Sequence, residues 1–105
     1  MTLEELRRGN DLFRGTFLPS IGKVRLTSGV WNDPKREDVL TAVREFNEFT
    51  SDNDPHEEHD CAVFTVGGEG YMFKIDYYDE DFRFGADPLN EPFRRVMMIM
   101  AANEY

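Results

Sequence analysis

HDCAVFTVGGEGYMFKIDYY, residues 59–78, decides the fold. Two runs rich in β-branched and aromatic residues flank Gly67, Gly68, Glu69 and Gly70, which is the signal of a β-hairpin. Strand side chains alternate faces, so Tyr71, Phe73, Ile75 and Tyr77 share one side, while Met72, Lys74, Asp76 and Tyr78 share the other. The aromatic side is expected in the core.

Toward the N-terminus, Thr2 and Glu5 have the capping-box form. Leu3, Leu6, Asn10, Phe13 and Phe17 follow on one helical stripe, which predicts a helix over about 3–14 that stops at Gly15. In GKVRLTSG, residues 22–29, Val24 and Leu26 alternate with charged and polar neighbours, the pattern of a half-buried strand. Asp33 followed by Pro34 is a helix start, and Val39, Leu40, Val43, Phe46 and Phe49 give an apolar face to a helix over about 34–48. Beyond the hairpin, residues 79–92 read as a long polar loop with Gly85 and two prolines. FRRVMMIMAANEY, residues 93–105, fits a helix burying Phe93, Val96, Met97 and Met100, supported by Pro92 before it and by Ala101 and Ala102, although VMMIM also suits a strand. The expectation is a single α+β domain over 1–105, in the order α-β-α-β-β-α, with a mainly antiparallel sheet packed against helices.

The chain of 105 residues is 40% hydrophobic, enough to build a core without staples. Cys61 is its one cysteine, which rules out an internal disulfide and any multi-cysteine metal centre and fits a reducing compartment. No signal-peptide core and no 18-residue apolar stretch is present, so a cytoplasmic protein with no membrane partner is expected. Net charge is −9, and it is unevenly spread: residues 46–92 alone carry thirteen acids against two bases. Direct binding to nucleic acid or an anionic membrane is therefore disfavoured, and a basic protein surface is favoured.

SDNDPHEEHD, residues 51–60, concentrates that acidity around His56 and His59. Counted from Asp52 as a calcium loop, it has His56 at the fifth position and Glu57 where the sixth needs glycine. Its histidines are three apart, not the four of a zinc-binding helix. A site of His56, His59 and a carboxylate stays open, as does acid–base work by paired carboxylates. Cys61 would share a strand side with His59, but without an evident third group or oxyanion donor it reads as a small hydrophobe. GGEG lacks the lysine and helix of a phosphate loop. Asp52, Asn53 and Asp54 before Pro55 are also ordinary turn chemistry. IDYYDEDF, residues 75–82, extends the acidic signal with Asp76, Asp79, Glu80 and Asp81.

The stretches FNEFTSDNDPHEEHD, KIDYYD and RVMMIMAANEY resemble a family of small proteobacterial proteins of unknown function, often borne on plasmids or other mobile elements. The matching positions are Asn53, Asp54 and Pro55; Glu58, His59 and Asp60; Lys74 through Asp79; and Arg95, Val96, Ile99, Met100, Ala102, Glu104 and Tyr105. His56 and Glu57 depart from the family pattern, where an aromatic residue and a glycine are more usual. The resemblance implies no established activity. It implies a setting, since small acidic proteins of phages and plasmids are often inhibitors of host nucleic-acid enzymes, including anti-CRISPR proteins.

The leading expectation is a non-enzymatic DNA mimic that competes with nucleic acid for a basic site on a bacterial defence or DNA-processing protein, with no cofactor. Asp52, Asp54, Glu57, Glu58, Asp60, Asp76, Asp79, Glu80 and Asp81 would supply charge, and Tyr77 or Tyr78 a contact platform. The alternatives are a metal-dependent enzyme centred on His59 and Asp60, and an acidic structural protein with no inhibitory role.

Overall fold

The computed structural model describes residues 1–105. Helix α1 (Leu3–Thr16) leads into strand β1 (Gly22–Leu26), a single turn α2 (Ser28–Trp31) and helix α3 (Arg36–Glu45). Strands β2 (Cys61–Val66), β3 (Glu69–Tyr78) and β4 (Arg94–Ala101) follow, and a 3₁₀ turn over Ala102–Glu104 closes the fold. The sheet runs β1-β4-β3-β2, with β1 parallel to β4 and the other pairs antiparallel. The α+β class and the mainly antiparallel sheet hold.

The capping box forms as expected: Glu5 N donates to Thr2 Oγ1 and Thr2 N to Glu5 Oε1, each at 3.1 Å. Helix α1 passes Gly15 and ends at Phe17, whose left-handed backbone (φ 55°) forms the cap. In the β2–β3 hairpin, Gly67 and Gly68 both have positive φ (59° and 82°), as a two-residue turn matched to strand twist requires. The second expected helix is shorter than 34–48. Asp33 Oδ1 accepts from Lys35 N at 2.8 Å, and α3 starts one residue later. After Glu45 the chain extends, which lets Phe46 and Phe49 pack edge to face, 4.9 Å apart.

The C-terminal segment is a strand, not the expected helix. Met97 and Ile99 point into the core with no exposure, while Val96 and Met98 take the opposite face. Placed between β1 and β3, this strand has partners on both sides, and apolar residues on both of its faces suit an interior position. That tertiary setting outweighs the helix preference of Ala101 and Ala102.

The helices cover one face of the sheet. Phe13, Val30, Val39 and Val43 pack onto Ala62, Tyr71, Phe73, Ile75, Met97 and Ile99. Gly22 allows the close approach of α1 to the β1–β4 pair, since a Cβ there would sit 2.6 Å from Arg95 O and 2.9 Å from the Phe13 ring. No helix is long and apolar enough to cross a membrane.

Candidate functional site

The acidic loop between α3 and β2 is braced by its own turn residues. Asn53 accepts from Thr50 N at 2.7 Å and donates to Glu48 O at 2.9 Å, and Asp54 N donates to Thr50 O at 2.8 Å. Asp54 then turns inward. It is only 5% exposed, and its Oδ1 accepts from His59 N at 3.1 Å. Asp54 is thus a buried anchor of the loop and leaves the partner-facing set expected from the sequence. Glu57 and His59 both adopt left-handed backbone (φ 58° and 56°), a conformation that non-glycine residues hold only when their surroundings impose it.

Three side chains of α1 supply that constraint. Arg7 Nη1 donates to Glu57 O at 3.0 Å, and Asn10 Nδ2 donates to Glu58 O at 3.0 Å. Asp11 accepts from His59 Nδ1 at 2.8 and 3.1 Å. The His59 ring stacks on Phe49 with centroids 4.0 Å apart and planes 5° from parallel, and its Nε2 lies 3.5 Å from Asp54 Oδ2. Behind Asp11, the buried Arg14 donates from Nη2 to Asp11 Oδ1 at 3.0 Å and to Phe46 O at 3.1 Å. Its guanidinium lies over the Phe49 and Phe73 rings. A chain of polar side chains, Arg14, Asp11, His59 and Asp54, therefore runs from the core to a polar cleft of about 360 Å³ that Arg7, Ser51 and Glu57 also line.

His56 is exposed and apart from this chain, and no three His, Cys, Asp or Glu side chains are spaced to hold an ion. The grouping of His56, His59 and a carboxylate that the sequence left open is not assembled. Burial pushes the Cys61 thiol up, with Asp60 adding to it, the opposite of what a reactive thiolate needs.

Among the remaining acids, Glu58 and Asp60 lead into β2, and Asp76 lies toward the end of β3. Burial raises the carboxyls of Glu58 and Asp60 above their ordinary range; Asp60 and Asp54 raise Glu58 further, and Asp54 and Asp76 raise Asp60 further. Lys74 Nζ reaches Asp76 at 3.3 Å. Asp79 is spent on its own turn, accepting from Asp81 N at 3.2 Å and Arg83 N at 3.0 Å. Asp52, Glu57, Glu80 and Asp81 stand exposed in two separate loops. Of the two tyrosines, Tyr77 belongs to the core side: its hydroxyl accepts from Asn10 at 2.8 Å, and burial pushes its phenol well up. Tyr78 takes the opposite, helix-free face.

The residues that bring this loop together were only partly visible in the sequence. Asn10 was, as a polar residue inside an apolar stripe. Asp11 and Arg7 had no such signal.

A family model described as a protein of unknown function, DUF3768, matches residues 25–104, which run from the end of β1 past β4. The chain belongs to the DUF3768 family. Its matched segment holds Asp54, His59, the acids of the loop and strands β2 to β4 with the end of β1, whereas the bracing residues of α1 precede it. No curated protein and no solved structure matches this DUF3768 chain.

Proposed function

We propose that this protein is a non-enzymatic, acidic binding module of the bacterial cytoplasm, borne on mobile elements, that occupies a nucleic-acid site on a defence or DNA-processing protein. The observation that carries this reading is the run of mutually acting acids at the start of β2, where Glu58 feels Asp60 and Asp60 feels Asp76, while Lys74 pairs with Asp76 alone. Like charges that act on one another, two of them partly desolvated, work against the isolated fold. Arginines or lysines of a partner would relieve that repulsion on binding, so energy unfavourable in the free protein becomes affinity in the complex. Exposed Asp52, Glu57, Glu80 and Asp81 widen the negative field that steers a basic surface toward the cluster. Tyr78 offers a ring beside it.

Inhibition follows by competition, because the partner's cations cannot hold a phosphate backbone and these carboxylates together. This is the action of a DNA mimic, and anti-CRISPR proteins are one class that uses it. The test is a pull-down of the tagged chain from bacterial lysate, washed first at low and then at high salt, with mass spectrometry of the eluate. A nucleic-acid-binding complex released by salt, and lost when Asp60 and Asp76 are changed together to asparagine, is the expected result. Capture that is indifferent to salt and to those substitutions would overturn the reading.

A further inference from the structure

The helix-free face of the sheet carries an ordered grid set by strand register. Lys23, Val96 and Asp76 form one row across β1, β4 and β3, and Arg25, Met98 and Lys74 form the next. Arg94 and Tyr78 make the row beside them. This face thus gathers four of the twelve cations of a chain whose net charge is −9. Arg25 and Arg94 take part in none of the protein's ion pairs.

The 79–92 loop folds back over one end of the grid. Phe82 adopts left-handed backbone (φ 59°), and its ring lies under Lys23 Nζ, 3.8 Å from the centroid. Two hollows meet at this ring. One, of about 210 Å³, is lined by Val96, Met98, Tyr78 and Phe82, with Arg25 and Asp76 also on its wall. The other, of about 310 Å³, presents Lys23, Arg94, Ser20 and Gly22, with Glu80 as its one acid.

We propose that the paired hollows bind a mononucleotide. The apolar and aromatic hollow receives the base, where rings and a methionine stack on a flat π-system and Asp76 accepts from its N–H groups. The cationic hollow receives the phosphate, through Lys23 and Arg94, and Arg25 adds a cation on the wall of the apolar hollow. A purely apolar ligand would leave these cations unanswered, and a bare phosphate would leave the aromatic hollow empty. A long strand is disfavoured because the thirteen acids of residues 46–92 repel a polyanion.

The test is calorimetric titration of the full chain, without any partner protein, using AMP and GMP, with adenosine, inorganic phosphate and a short oligothymidine as controls. Saturable binding of AMP or GMP, weakened about tenfold by Arg25→Ala or Lys23→Ala as expected for one lost charge-assisted contact, supports the site. Phe82→Leu should weaken AMP and leave inorganic phosphate unchanged, while Asp38→Asn, on the exposed side of α3, should change neither. Lys23 and Arg25 are exposed, and an unchanged melting temperature checks that their variants stay folded. Absence of saturable nucleotide binding, or binding that survives both cation substitutions, overturns the proposal. Tighter binding of the oligothymidine than of AMP and GMP overturns it in favour of a single-strand surface.

Discussion

His59 Nδ1 lies 2.8 Å from Asp11 Oδ1, and the bond ties the acidic loop to a helix forty-eight residues earlier in the chain. The bond holds His59 in a left-handed backbone that costs a side chain bearing a Cβ about 1 kcal/mol or more. His59→Ala and His59→Gly both lose the bond and the stack on Phe49. Only the alanine keeps the steric cost, so the glycine variant should be more stable than the alanine variant by about 1 kcal/mol in urea unfolding, and both less stable than wild type. Equal stabilities would mean that the loop relaxes out of this conformation.

Asp60 is a carboxyl raised by burial first and by Asp54 and Asp76 next. Its folded form binds a proton more readily than its unfolded form. The resulting penalty is absent below the unfolded value near pH 4 and fully present above the raised folded value. Asp60→Asn should therefore raise the melting temperature at pH 8 and leave it nearly unchanged below pH 4. The same variant should weaken capture of a basic partner, because stability and binding oppose each other at this position.

Asp33 shows the opposite sign. Its carboxylate accepts a hydrogen bond from the Tyr71 hydroxyl, which holds it below its ordinary range, and the Lys35 amide adds to this. Stability from this pair is present above the unfolded pKa near 4 and disappears as pH falls through the lowered folded value. Tyr71→Phe should melt below wild type at pH 7, and the gap between the two should close as the pH drops toward 2. A gap that stays constant across the titration would mean that the loss does not come from the bond to ionised Asp33.

Asn10 has no exposure and three partners: it donates to Glu58 O and Tyr77 Oη and accepts from Arg95 Nε at 2.7 Å. Asn10→Ala leaves the half-buried Arg95, whose pKa burial already lowers, with only a long 3.5 Å bond to Leu6 O. A loss of about 2–3 kcal/mol is expected in denaturant titration, the range for a buried charged group deprived of its partner. Asn10→Asp should restore part of it through the Arg95 contact while losing the donor to Glu58 O.

The readable parts of this fold were those set by local chemistry. The Thr2–Glu5 box, the Gly67-Gly68 turn and the alternation from Tyr71 to Tyr77 each satisfy their own backbone or face within a few residues. Residues 94–101 were not readable in this way, because VMMIM is apolar at both helical and strand spacing. Its state is decided by β1 and β3 on either side. The loop around His59 divides along the same line. Its turn residues declared themselves in Asn53, Asp54 and Pro55, but the Asp11–His59 bond joins two positions whose sequence contexts carry no mutual signal. The acids looked equivalent in the sequence, and only folding separates buried Asp54 and half-buried Asp60 from exposed Asp52 and Asp81.

The parallel pairing of Lys23 with Val96 also sets the order in which a newly made chain can assemble. As the polypeptide leaves the ribosome, the β2–β3 hairpin can close at once, since its partners are neighbours. Strand β1, made long before, has no neighbour until β4 emerges, and β3 keeps an open inner edge for the same interval. The nascent protein therefore holds an unfinished sheet beside apolar helix faces until synthesis passes Ala101. During that time it is most open to chaperone capture, aggregation and proteolysis.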